Sequence, residues 1–305
     1  MSPDIETLRE RFVTGYREAG ARSLREVKYA HYEPLVTVDD WLAYVLRYPN
    51  EAPVVTLRSE RMRVQVVPAM GGRIWRMQTL DGGGSHDLLR VFGGEGAFVA
   101  QRGGYEAYSL TGWRSPGWSE SYDVVEQSPT SVALETKLGN GLTLRRQIIL
   151  ADDAPRVTLR ETLTNHSEQP RQAALRMHPE MPMPIASRSR IATRQADGSW
   201  RLASIETPDD PRRGSAPSWH TELWFTDDAL PAGAWALVDL DAGRAIVHRF
   251  NPADVDRCYV NVSQVESRAN LEVMTRPRQL QPGESVTIEH SYESASPADL
   301  GAGGR

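Results

Sequence analysis

The sequence predicts an all-β protein, a large antiparallel β-sandwich with a short N-terminal helical extension. Three observations carry that expectation. From Pro53 onward apolar residues recur with period two, as Val64 and Val66 do between Arg63 and Gln65. Short apolar runs are joined by turn residues in hairpin spacing. The strand, helix, strand alternation that would call for a parallel sheet is missing.

Each element follows in order. Ile5, Leu8, Phe12 and Tyr16 have helical spacing, with Gly20 as a stop. A second helix is expected from about Asp39, capped by Thr37 with Asp40 at the capping-box position, and Trp41, Leu42, Val45 and Leu46 form its apolar face. Neither helix can bury its stripe alone, so residues 1–50 read as a brace against the sandwich or as a linker from a preceding domain. Residues 51–293 carry the sandwich. Ser131 to Leu150 reads as strand, the turn Gly139-Asn140-Gly141, and strand. Val157, Leu159 and Leu163 share one face of the next strand. Ala234–Asp239 and Gly243–Phe250 form another hairpin. A strand around Leu271 and the turn Gln281-Pro282-Gly283-Glu284 lead into a strand from Ser285 to Tyr292. About a dozen strands are countable this way. Residues 294–305, small and polar, read as a disordered tail.

Composition narrows the function. The 305 residues are 40% hydrophobic and 25% charged, ordinary for a globular protein, and 35 Lys and Arg against 40 Asp and Glu leave a net charge of -5. A polyanionic partner is disfavoured, because nucleic-acid affinity rests on cationic phosphate contacts. The single cysteine, Cys258, cannot form an internal disulfide or a thiolate metal cluster. No apolar run is long enough for a membrane span, and no signal peptide is visible. A cytoplasmic location, with no nucleic-acid or membrane partner, is the expectation.

Four segments together resemble the galactose-mutarotase-like (aldose 1-epimerase-like) superfamily. Val66-Val67-Pro68-Ala69-Met70-Gly71-Gly72-Arg73-Ile74 is similar to the strand, Gly-Gly turn and strand that opens those sandwiches. Gly103-Gly104-Tyr105-Glu106-Ala107-Tyr108 is similar to a Gly-Gly-x-Glu-aromatic segment of sugar-active relatives. Leu163 to Ser167 followed by Leu175-Arg176-Met177-His178-Pro179 resembles the passage carrying the family's catalytic acid. Leu271-Glu272-Val273-Met274-Thr275, with the later Pro-Gly-Glu turn, resembles the strand carrying its catalytic base. The resemblance spans about residues 55–293 and implies a large sandwich that handles mono- or oligosaccharides without a metal or organic cofactor. The chain departs from true galactose mutarotases in lacking Asn-Arg-Ile and His-Gly-Gly segments. The N-terminal helices resemble the linker ahead of mutarotase-like C-terminal domains in some glycoside-hydrolase-like proteins.

Strand alternation points independently to the same residues. Arg176, His178 and Glu180 should face opposite to Ala173, Leu175 and Met177, and Asn270, Glu272 and Met274 opposite to Leu271 and Val273. If both polar faces line one concave sheet, His178 and Glu272 meet across a sugar. Anomer interconversion needs one group to take the anomeric hydroxyl proton and another to protonate the ring oxygen. Glu272 fits as base and His178 as acid. A structural histidine and a solvated strand carboxylate would look the same in sequence. Both polar groups, read as groove-facing, should be replaceable with little change in stability. Arg176, Glu180 and Asn270 join Arg73, Arg76, Glu106 and Trp113 as candidate sugar contacts. Arg73 and Arg76 offer paired donors or a surface ion pair. Trp113, Trp118 and Tyr122 lie in or beside a Gly-, Ser- and Pro-rich loop, exposed for stacking or capping one end of the sandwich.

Other chemistries lack their motifs. Gly-x-Ser-x-Gly is absent, Gly82-Gly83-Gly84-Ser85 has no phosphate-loop lysine, and His178-Pro179-Glu180 is not a metal spacing. Glu106, Glu180 and Glu272 leave a glycosidase carboxylate pair open. The functional expectation is an aldose 1-epimerase-like isomerase. The rivals are a non-catalytic carbohydrate-binding accessory domain of a glycoside-hydrolase system, and a lyase or hydrolase on the same sandwich.

Overall fold

The computed structural model describes residues 53–81, 84–91, 103–109, 116–118, 120–183, 186–205, 220–263 and 267–301. The expected helices of residues 1–50 and Trp113 lie outside them. The first strands are β1 (Val55–Arg58), β2 (Met62–Val67), β3 (Arg73–Asp81), β4 (Gly84–Asp87), β5 (Tyr105–Tyr108), β6 (Asp123–Gln127) and β7 (Ser131–Lys137). There follow β8 (Leu142–Leu150), β9 (Arg156–Asn165), β10 (Arg171–Ala173), β11 (Arg176–Pro179), β12 (Met181–Pro182), β13 (Ser189–Arg194) and β14 (Trp200–Ser204). The last are β15 (His220–Thr226), β16 (Ala234–Asp239), β17 (Arg244–Phe250), β18 (Val255–Ser263), β19 (Arg268–Thr275), β20 (Arg278–Leu280) and β21 (Ser285–Ala295).

Two large sheets contain nearly all of these strands. One runs β1-β2-β3-β5-β11-β19-β18-β15, with β4 beside β3 and β12 beside β19. The other runs β14-β13-β16-β17-β21-β9-β8-β7-β6, and β10 pairs with β20 in a small ribbon. Every paired strand is antiparallel, as the hairpin spacing predicts. The strand count exceeds the dozen expected partly because β10, β12 and β20 are only 2–3 residues long and β1, β4, β5 and β11 only 4, too short to show a period.

The sheets close on one apolar core. Leu175, Met177, Leu271 and Val273 from the first sheet meet Leu144, Ile148, Leu159, Leu163 and Ile288 from the second. Strict alternation along β9, whose Val157, Leu159 and Leu163 are fully buried, supplies that inner face. Each such side chain contributes roughly 1.5–3 kcal/mol on burial. β19 is buried along its whole length, so both of its faces are covered.

A polar chain crosses this core. Trp235 Nε1 donates to His248 Nδ1 at 3.2 Å, and His248 Nε2 lies 3.1 Å from His290 Nδ1. His290 Nε2 is 3.1 Å from the Tyr105 hydroxyl, which donates to Glu161 at 3.0 Å. Glu161 pairs with Arg146, which also donates to the Gly71 and Gly72 carbonyls at 3.1 and 2.7 Å. The donors run in one direction only if both histidines are neutral, and burial holds His248 well below its ordinary range and His290 at about 3.

The expectation of a disordered tail from residue 294 is corrected over 294–301. β21 continues to Ala295, and a single 3-10 turn, Pro297–Leu300, follows under a Ser296/Asp299 capping box with Leu300 buried. A composition-based reading gave no weight to that box or to one apolar anchor. Among the described residues, no helix is long and apolar enough to cross a membrane.

Candidate functional site

The site forms at the middle of the first sheet. β11 lies between β5 and β19, with His178 opposite Glu106 and Arg176 opposite both Tyr108 and Met274. Met177, Ala107, Leu271 and Val273 point into the core, so Arg176, His178, Glu106, Tyr108, Asn270 and Glu272 occupy the other face. The alternation expected from sequence therefore holds on both strands, and it brings His178 and Glu272 together.

Two buried ion pairs flank the histidine. Arg73 pairs with Glu106, and Arg176 reaches Glu272 Oε2 from Nε at 2.6 Å and from Nη2 at 2.5 Å. His178 bridges them: Nδ1 is 3.3 Å from Glu106 Oε1 and Nε2 is 3.3 Å from Glu272 Oε1. Its side chain is 13% exposed, whereas those of the four paired residues are at most 5% exposed, so the imidazole is the group nearest solvent. Burial opposes ionisation of Glu106, but the Arg73 guanidinium, His178 and the Tyr108 hydroxyl outweigh it and hold the carboxyl at about 2.

A donor sequence fixes the resting form of His178. Arg268 Nη1 donates to Asn270 Oδ1 at 3.0 Å, and a guanidinium can only donate. Asn270 therefore turns its amide nitrogen to His178 Nε2, 2.9 Å away. That nitrogen must accept, so the ring proton sits on Nδ1, facing Glu106.

The turns behind this row explain the two Gly-Gly motifs. Gly104 has φ +76°, and a Cβ there would sit 2.4 Å from the Ile74 carbonyl oxygen. Only glycine lets the start of β5 come this close to β3. Arg73 Nη1 donates to Gly103 O at 2.7 Å, and Gly103 N donates to Glu180 Oε2 at 2.8 Å. Gly72, with φ +56°, leaves room for Tyr122 and for the Arg146 guanidinium that grips its carbonyl.

Several expected sugar contacts take other positions. Glu180 is buried beneath the Gly103 turn, with Arg90 3.5 Å away, and braces that turn instead of lining a groove. Arg76 pairs with Asp87 at 3.0 Å on the neighbouring strand β4. Trp118 and Tyr122 are only 6% and 3% exposed: Trp118 packs on Tyr108, and the Tyr122 hydroxyl donates to Gly117 O. They are wall residues, because the chain around Gly117 folds back on β5 where an open loop was expected.

Sequence reading did not single out Tyr108, Arg268, Tyr259 or Glu222. Tyr108 and Arg268 share the parity of Glu106 and Glu272 along their strands, so alternation could have found them. Tyr259 stands opposite Glu272, and Glu222 opposite Asn261, only through strand pairings that local sequence does not record.

No protein-family model and no curated protein matches the chain. Solved structures do. A Synechocystis protein superposes with a TM-score of 0.61 at 13% identity, over 81% of this chain and 97% of its own. A galactose mutarotase-like protein from Lactobacillus casei gives 0.58 at 11% identity, covering 80% of this chain and all of its own (100%). The aldose epimerase homologue from C. elegans gives 0.58 at 11% identity, over 80% and 99%. At these identities the likeness is one of fold. The chain has the galactose-mutarotase-like fold, and its described strands form the all-β sandwich that the sequence predicts.

Proposed function

We propose that this protein binds the reducing end of a sugar over His178 and interconverts its anomers by acid–base ring opening, as an aldose 1-epimerase-like isomerase. The observation that carries the proposal is His178, the most exposed member of its cluster, bridging two carboxylates at 3.3 Å on the face of the sheet away from the apolar core. The named neighbours, a galactose mutarotase-like protein and an aldose epimerase homologue, support the same reading.

The proposed cycle uses the residues as follows. Glu272 Oε1, the oxygen not held by Arg176, takes the proton from the anomeric hydroxyl. His178, once Nε2 also carries a proton, delivers it to the ring oxygen. The C–O ring bond breaks, the aldehyde rotates about its bond to C2, and closure on the other face returns both protons. Anomeric hydroxyl and ring oxygen share one carbon, so a base and an acid in mutual contact can address both. Glu106, fixed as an anion by Arg73, orients the ring through Nδ1. Asn270 and Arg268 supply polar contacts beside the anomeric centre.

One observation favours a second reading. Glu272 Oε2 is engaged by Arg176 and His178 Nε2 by Asn270, so the same face could hold a sugar without turning it over. Polarimetry on freshly dissolved aldoses separates the two. Faster mutarotation supports the isomerase. Calorimetric binding with no acceleration supports a carbohydrate-binding domain, and neither effect would overturn both.

A further inference from the structure

The reactive pair stands at one end of a longer row. Glu272 is opposite Tyr259 on β18, and Tyr259 is opposite Trp224 on β15, the edge strand of the sheet. Leu223 and Phe225 point into the core, so Glu222 and Trp224 project from the same face as His178. The Trp224 ring lies over Tyr259, with centroids 4.3 Å apart, and is the partly exposed member of the pair, Tyr259 being 2% exposed. Beside it the Tyr259 hydroxyl donates to Glu222 at 2.6 Å and accepts from Asn261 at 2.9 Å.

We infer that Trp224, Glu222 and Asn261 form a second sugar subsite, and that the substrate class is a reducing oligosaccharide rather than a lone monosaccharide. This rests on the reading that the reducing end sits at His178 and Glu272. Three strand spacings separate β11 from β15, roughly 14 Å, which is longer than one pyranose ring. Rings linked to the reducing sugar extend along the row toward the edge strand. A half-exposed indole backed by a second aromatic presents a fixed apolar plane to the C–H face of a distal ring, while a carboxylate and an amide next to it meet its hydroxyls. That pairing of stacking plane and hydroxyl partners is repeated nowhere else along the row among the described residues. No bond other than that of the reducing ring is made or broken, so the subsite acts through binding alone.

The test measures calorimetric affinity and polarimetric rate with glucose and galactose against reducing trisaccharides of α- and β-linkage, maltotriose and cellotriose. The expected result is about tenfold tighter binding of at least one trisaccharide than of its monosaccharide, falling to a ratio near one in Trp224→Ala. Trp224→Phe, which keeps a ring, should retain most of the preference, and its melting temperature reports folding independently of the alanine variant. Equal affinities for trisaccharides and monosaccharides in the native protein overturn the subsite, as does a preference that survives in Trp224→Ala. Trp224-dependent binding of trisaccharide without rate acceleration leaves the subsite standing and removes the isomerase. Mutarotation with no trisaccharide preference does the reverse.

Discussion

The side-chain amide nitrogen of Asn270 lies 2.9 Å from His178 Nε2, held in that orientation by Arg268 on the amide oxygen. The imidazole therefore rests with its lone pair on Nε2, the nitrogen nearest Glu272. Its use as an acid requires that this contact give way to a proton. Long-range proton–nitrogen NMR correlations of the histidine ring should find Nδ1 protonated and Nε2 bare at pH 8. Asn270→Ala should mix the two tautomers. A protonated Nε2 in the native protein at that pH would show that Asn270 does not set the ring.

Glu272→Gln should leave sugar binding in place and lower turnover by about 10²–10⁴-fold, the usual worth of a positioned base. It should also destabilise the fold, which the sequence reading did not expect. Glu272 is 1% exposed and Arg176 4%, so the variant leaves a buried guanidinium without its counter-ion, at a cost of roughly 3–5 kcal/mol. Adding Arg176→Met should return most of the stability and none of the activity. Denaturant melts of both variants decide this. A single variant as stable as the native protein would mean the pair is worth little.

Stability should fall as pH drops from about 6.5, the ordinary histidine value, toward about 3, where His290 titrates in the folded protein. In that window the unfolded chain binds protons on His248 and His290 that the folded chain refuses, so acid favours unfolding. Above it both forms are neutral and the contribution is complete. Protonated His248 would also set an N–H against the Trp235 N–H. Glu106, held at about 2, adds a second loss below its ordinary value near 4.5. Melting temperature between pH 7 and 5 should therefore slope downward, and His290→Gln should make that slope shallower. A flat native profile would contradict the neutral-histidine relay.

Gly104→Ala should be among the most disruptive single-methyl changes in the chain. The added carbon meets Ile74 O at 2.4 Å in a left-handed backbone, so β3 and β5 must part. Arg73 and Glu106, one on each strand, would lose their contact with it. Gly139→Ala, with open space around it, is the control and should melt within about 0.5 kcal/mol of the native protein. Equal stability of the two variants would show that the Gly104 turn can relax.

The parts of the site readable in sequence were those governed by neighbours along one strand. Period two put Arg176 with His178 and Asn270 with Glu272, and their resemblance to sugar-active proteins named the pair. What escaped depended on partners far away in the chain. Glu180 has the parity of His178 but lies just past the end of β11, where its side chain reaches Gly103 N. Trp118 could be read as exposed for stacking or as capping the sandwich, because glycine, serine and proline surround it; it packs on Tyr108. Arg176 was read as a sugar contact, and its tie to Glu272 could not be seen without knowing that β11 and β19 pair. Among the core histidines the same limit applies: His248 and His290 are 42 residues apart and formed no cluster in sequence.

Two sheets that touched through hydrocarbon alone could slide past each other by a pleat and still find comparable packing, because apolar surfaces carry little directional information. The chain from Trp235 to Arg146 removes that freedom. Its donors and acceptors match in one alignment only, and a slip would break several hydrogen bonds between fully buried groups. Since the same chain ends on the Gly71 and Gly72 carbonyls, just ahead of Arg73, the far sheet acts as a template against which the binding face is indexed. Drift in the core of this sandwich would be felt first as misalignment at its surface.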